Sequence, residues 1–214
     1  MHPEWGMISP EEFIPVAEDT GMIVAIGRWV MREACRQNAA WQQAGLRPLR
    51  VAVNLSARQF RSDNLLDEID AALSDTALPA SSLELEITES MVMEDPERVI
   101  DLLEKIRSRG IHLSLDDFGT GHSSLAYLKR FPIDCVKIDR AFIMDMPGNT
   151  DDVAIARTIV AMAKSLGLAT VAEGVETAEQ LELLKNMGCD QIQGYFFSRP
   201  LPADEFLAFY QAHL

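Results

Sequence analysis

A chain of 214 residues that is 48% hydrophobic and 24% charged has the composition of a globular domain with its own core, which excludes disordered, collagen-like and disulfide-scaffold classes. A formal net charge of −14 argues against a nucleic-acid polymer as partner, because gripping a phosphate backbone requires clustered cations. No run reaches the ~18 apolar residues of a bilayer span and no basic-then-apolar leader opens the chain, so direct membrane insertion is not expected and the location implied is cytoplasmic.

In chain order, a short helix is expected around Glu11–Glu18, followed by a long one with Ile26, Val30, Ala34 and Trp41 as its apolar stripe, stopping near Gly45. Short apolar runs then alternate with amphipathic segments. The runs are Val51–Leu55, Leu83–Ile87, His112–Asp116, Cys135–Ile138, Ala169–Ala172 and Asp190–Gln193, whose starts lie 32, 29, 23, 34 and 21 residues apart. That spacing suits a strand and crossover helix repeated in parallel. Between the second and third runs, Val99, Leu103 and Ile106 fall at i, i+4 and i+7, with Pro96 at the first helical position and Gly110 past the end. Ile155, Ile159, Met162 and Leu166 make another stripe, closed by Gly167. The next helix opens on the capping box Thr177-x-x-Gln180, carries Leu181, Leu184 and Met187, and ends at Gly188. Cys35, Cys135 and Cys189 form no C-x-x-C pair, and His2, His112, His122 and His213 lack zinc-helix spacing, so neither a disulfide framework nor a zinc site is expected.

Regular alternation of this kind implies an α/β fold, doubly wound or barrel. The polar residues decide between them. Each run ends in, or is followed by, a group able to bind a cation or phosphate: Asn54, Glu86, Asp116 with Asp117, Lys137, Glu173 and Gln193. Charge confined to one end of every strand points to the C-terminal rim of a (β/α)8 barrel rather than to one switch point of an open sheet. Singly, Asn54 could cap a loop, Glu86 could pair with an arginine and Lys137 could snorkel from the core edge. Adjacent Asp116 and Asp117 repel each other unless cations or donors intervene, which favours a divalent-metal site, and ligands that are all oxygen indicate Mg2+, Mn2+ or Ca2+. Hydrolysis of a phosphodiester fits this set, and so does a metal-dependent aldolase or enolase-like reaction. The following loop, Phe118-Gly119-Thr120-Gly121-His122-Ser123-Ser124, has the composition of a hydrogen-bonding lid, and no Walker loop occurs anywhere.

The segments ISPEEFIPVAE (8–18), VNLSARQF (53–60), LELEITES (83–90), LDDFGTGHSSL (115–125), VKIDRAF (136–142), VAEGVET (171–177) and QGYFFSRPLP (193–202) together resemble the EAL-domain phosphodiesterases. The resemblance implies a TIM-like (β/α)8 barrel that linearises cyclic di-GMP to pGpG with Mg2+ or Mn2+ at a two-metal site. By matching motifs, Asn54, Glu86 and Asp116 resemble ligands of one cation, and Asp116, Asp117 and Glu173 ligands of the other. Lys137 resembles the lysine that contacts the attacking water and phosphate, and Glu173 is equally read as general base or metal ligand. Glu89 resembles the glutamate bracing the loop after the aspartate pair, Gln193 the glutamine near the metal water, and Glu176 a guanine contact. His122 stands where the family usually has an aromatic residue; it is expected to alter loop packing without ligating a metal.

Against the family pattern, residues 1–214 align from just after the strand bearing the E-A-L motif. The expectation is therefore an EAL domain lacking its first two strands and one metal-binding glutamate, the C-terminal part of a larger signalling protein with upstream sensor or GGDEF domains. A homodimer is expected as well. A catalytically impaired domain acting as a cyclic di-GMP receptor or protein-interaction module is the alternative to the enzyme.

Overall fold

The computed structural model describes Glu4, Gly6 and residues 8–93, 95–120 and 125–213. The expectations for His122 and for Gly121, Ser123 and Ser124 lie outside the described residues. The chain divides into two units, Met1–Leu85 and Glu86–Leu214.

In the first unit α1 spans Pro10–Thr20 and α2 spans Ile23–Gln43. Ser9 caps α1 by accepting from Glu11 N, and Gly21 closes it in the left-handed region at φ 78°, where a side chain would be strained. The buried face of α2 is Ile23, Gly27, Met31, Cys35, Asn38 and Ala39, so the expected stripe is corrected: Ile26, Ala34 and Trp41 are only partly covered and Val30 is exposed. Gly27 belongs to that face because the Gln59 side chain lies where a Cβ would stand. Asn38 is buried there with its amide donating to Leu49 O (3.0 Å) and Ser82 O (3.1 Å), so its burial leaves no stranded donor. Strand β1 follows at Val51–Asn54, then α3 at Ala57–Phe60 and α4 at Leu65–Thr76. The Ser56/Gln59 capping box starts α3. Ile69 and Ala72 of α4 are buried, and its acidic residues pair with α2 through Arg28–Glu68 and Arg32–Asp75.

Strand β2, Leu83–Thr88, runs from the first unit into the second. The second unit continues with α5 (Glu89–Met93), α6 (Pro96–Arg107), β3 (His112–Phe118), α7 (Leu125–Leu128), β4 (Cys135–Ile138), α8 (Thr150–Leu166), β5 (Ala169–Ala172), α9 (Ala178–Met187), β6 (Gln191–Ile192) and α10 (Ala203–Ala212). Its strand order is β2-β3-β4-β5-β6. The registers Ser114 to Cys135, Cys135 to Ala169 and Val171 to Gln191 are all parallel. Parallel strands are covered on both faces, which explains their near-continuous apolar runs: Leu113, Leu115, Val136, Ile138 and Ala172 are fully buried. On α8 the packing face is Ala156, Ile159, Val160 and Ala163, whereas Ile155, expected to face inward, is exposed. The α9 capping box forms as expected, and Gly188 ends the helix in the left-handed region. No helix among the described residues is long and apolar enough to cross a membrane.

Leu103 of α6 is wholly buried. Leu103→Ala is expected to destabilise the fold by about 2–5 kcal/mol, measured as a lowered urea midpoint.

Candidate active site

In a regular strand successive side chains point to opposite faces, so Asp116 and Asp117 should diverge. Here, however, β3 is irregular. Leu115 pairs with Val136 and Phe118 with Ile138, so two residues of β3, Asp116 and Asp117, stand against the single Lys137 of β4. Such a bulge re-aims side chains. Asp117 takes up the surplus length with a left-handed φ of 54°, a conformation aspartate tolerates better than most residues, and its N–H donates to Asp116 Oδ1 at 3.1 Å.

Lys137 is 3% exposed, yet its ammonium is triply paired: Nζ lies 2.7 Å from Glu86 Oε1, 3.1 Å from Asp116 Oδ1 and 2.8 Å from Glu173 Oε1. Burial alone would lower its pKa; the charges of Glu86, Asp116 and Glu173 outweigh that and hold it above the ordinary lysine value. Burial raises the Glu173 carboxyl, and the lysine only partly offsets the rise. Asp117 is pushed up to about 6, first by burial, then by the charge of Asp116, then by a hydrogen bond with Asp139.

Asp139, directly after β4, is a fifth carboxylate that the motif reading passed over. Its side chain also accepts from Ala141 N at 2.7 Å, opening the 3-10 turn Arg140–Phe142. The signal was present in the V-K-I-D segment, where an acid follows the lysine strand by one residue.

The remaining expected residues fall into three places. Glu89 is buried at the start of α5, where Oε2 accepts from Gly119 N at 3.1 Å and Oε1 is buried with no hydrogen-bond partner among the described residues. Glu173, Glu176 and Gln193 line a cavity of about 650 Å3 together with Arg140, Tyr195, Arg199, Phe206 and Phe209. Asn54 is exposed at the end of β1 in the first unit.

Two backbone contacts build the cavity wall. Gln193 N donates to Ala172 O (2.8 Å) and Val175 N to Gln193 O (3.1 Å), and a Cβ on Gly194 would strike the Val175 backbone. The segments after β5 and β6 therefore lie in direct contact. Arg199 stacks over the Tyr195 ring at 4.8 Å, giving the cavity an aromatic and cationic face in an otherwise acidic protein.

Chemically, this is a rim of carboxylates around one lysine, continuous through Glu173 with a ligand-sized cavity. No group of three or more carboxylate, imidazole or thiol side chains among the described residues is arranged to hold a metal ion. Here the carboxylates turn to the Lys137 ammonium. The donors are nonetheless all oxygen, and three carboxylates meet one ammonium with Asp117 next in the chain to one of them, which is the chemistry a hard dication satisfies.

A fold and rim of this kind define a TIM-like α/β protein with its chemistry at the strand ends. A model of the family described as EAL domain matches residues 1–200, and the chain belongs to that family. It is 48% identical over 207 residues to the bifunctional diguanylate cyclase/cyclic di-GMP phosphodiesterase MucR of Pseudomonas aeruginosa, covering 97% of this chain and 30% of that protein. It is 49% identical over 213 residues to the cyclic di-GMP phosphodiesterase NbdA of the same organism, covering 98% and 27%. A solved structure of the PaMucR phosphodiesterase in complex with c-di-GMP superposes with a TM-score of 0.94 at 47% identity, covering 96% of this chain and 83% of that one. The chain thus spans less than a third of the length of these two curated relatives.

Lys137→Met leaves Glu86, Asp116 and Glu173 buried without their cation. In EDTA the variant is expected to lose about 3–5 kcal/mol of stability in chemical denaturation. The loss should shrink as pH falls, because uncompensated buried carboxylates have folded-state pKa values above their unfolded ones, so folding takes up protons.

Proposed function

We propose that this chain hydrolyses cyclic di-GMP to linear pGpG with Mg2+ or Mn2+; MucR and NbdA, two of its relatives, are named as cyclic di-GMP phosphodiesterases. The observation that supports this reading best is the convergence of Glu86, Asp116 and Glu173 on Lys137, with Asp117 beside them and the cavity opening at Glu173. Glu86, Asp116, Asp117 and Glu173 would hold the cations, and the resemblance adds Asn54 to the set. Bound there, two dications would polarise the phosphodiester and acidify the attacking water.

The chain's own residues supply the rest. Lys137 brings positive charge to the phosphate and fixes the carboxylates that surround it. Arg140 and Arg199 offer cations to the second phosphate or the guanine edges, while Tyr195 and the phenylalanines offer stacking surface. Glu176 and Gln193 present polar groups at the cavity wall, and Glu89 holds Gly119 close behind the aspartate pair. Water adds to one phosphorus, the P–O3′ bond breaks, and the 3′ oxygen takes up a proton. The product is opened at one linkage and carries a 5′ phosphate.

A cyclic di-GMP receptor without turnover is the second reading, favoured by the way Lys137 already satisfies three of the carboxylates. The homodimer, the cytoplasmic location and the upstream sensor or GGDEF domains belong to either reading.

Incubating the purified chain with cyclic di-GMP and Mn2+ or Mg2+, with chromatography of the products, separates them. Accumulating pGpG that disappears with EDTA supports the enzyme; tight binding without product supports the receptor. Asp116→Ala is expected to cut turnover by at least ~100-fold while leaving the circular dichroism spectrum unchanged. Undiminished turnover would remove Asp116 from the site.

A further inference from the structure

Gln180 does more than start a helix. It is 3% exposed, and its side chain uses its full hydrogen-bonding capacity. Oε1 accepts from Glu176 N (2.8 Å) and Thr177 N (3.0 Å), and Nε2 donates to Ile143 O (2.9 Å) and Met144 O (3.3 Å). Two N–H donors on one side and two carbonyls on the other fix which way the amide points. An α9 cap needs only the first pair. The second pair reaches the turn after β4, thirty-seven residues away at Ile143.

The two segments so joined both line one cavity. Glu173, Gly174 and Glu176 line it from the β5 side, and Arg140 and Met144 from the β4 side. They also touch at Gly174, whose φ is 73° and whose added Cβ would lie 2.7 Å from Arg140 Cβ. We propose that Gln180 is a positioning residue for the nucleotide: its amide clamps the Glu176 main chain to the Ile143–Met144 main chain and so sets the separation of Glu176 from Arg140 in the cavity lining. This rests on the cavity being the cyclic di-GMP site.

Gln180→Glu isolates the clamp from the cap. A glutamate at this position still accepts from Glu176 N and Thr177 N just before α9, as capping boxes commonly do, but it has no amide to give to Ile143 and Met144. Gln180→Met, of similar length and uncharged, removes both functions. Thr177→Ala removes the Thr177 Oγ1 cap on Gln180 N (3.2 Å) and leaves the clamp in place.

Binding of cyclic di-GMP is measured by titration calorimetry in EDTA, where turnover cannot interfere, with a thermal melt of each protein. Both Gln180 variants are expected to bind roughly tenfold more weakly, as the loss of about two net hydrogen bonds would give. Thr177→Ala should melt lower yet bind within about twofold of wild type. In turnover assays the Gln180 variants should show the loss mainly in KM. Wild-type affinity in a folded Gln180→Glu, or in Gln180→Met should the glutamate not fold, overturns the clamp. A deficit in Thr177→Ala equal to that of the glutamate variant reduces Gln180 to a cap and overturns it as well. If the wild-type chain itself does not bind cyclic di-GMP, the assignment of the cavity falls, and the proposal with it.

Discussion

A buried ammonium is tolerable only where opposite charge meets it at hydrogen-bond distance, and Lys137 imposes that condition on this fold. Taking its charge out of water costs several kcal/mol, which Glu86, Asp116 and Glu173, all within reach of Nζ, together offset. Those carboxylates come from the C-terminal half of β2, the bulge of β3 and the residue after β5. The parallel registers that bring the strands to a common edge are therefore coupled to one side chain on β4. The converse also holds: the lysine keeps close together acidic groups that would otherwise repel.

Outside this cluster, the rim is built by close backbone approach. Gly194 lies against Val175 and Gly174 against Arg140, with the Gln180 amide spanning the segments after β4 and β5. These contacts fix the course of the main chain along part of the cavity wall. The side chains that face into it, Tyr195, Arg199 and Glu176 among them, decorate a frame set by glycines and one glutamine.

Much of this is legible in the sequence. Cys135–Ile138 and Ala169–Ala172 match the observed strands residue for residue, because Asp134 and Asp139 bracket the first and Gly167 and Glu173 closely bound the second, leaving little choice of boundary. The Thr177/Gln180 cap was readable because the capping box is a local rule. Helix faces were harder. On α2, Ile26 and Val30 compete with Ile23 and Met31, and the helix turned to the side where small Gly27 admits Gln59, a long-range contact that periodicity does not encode. Ile155 lost its inward place on α8 to Ala156 in a similar way. The sequence suggests a strand over Asp190–Gln193, but β6 is only Gln191–Ile192: the Asp190 side chain accepts from Thr170 N, and Gln193 bonds to both Ala172 and Val175 as the chain leaves β5. Most of the site residues were found because charge at strand ends is conspicuous. Asp139 was not, since its part depends on Asp117 lying out of strand geometry, and Gln180's second pair of bonds was hidden by the sufficiency of its first.

The bulge in β3 also separates two demands on one strand. Leu115 and Phe118 pair with Val136 and Ile138, which share a face of β4, so the inserted residue brings Phe118 back to Leu115's side. A strand one residue shorter, without Asp117, would keep both of those pairings and run as an unbroken ladder. The second aspartate is thus surplus to the sheet: it adds no rung, occupies a left-handed backbone, and brings a carboxyl that burial and its neighbours resist ionising. A lineage that no longer needed that carboxyl could shed it with little architectural penalty, so the length of β3 at this point, counted against β4, records whether the rim still requires two acids.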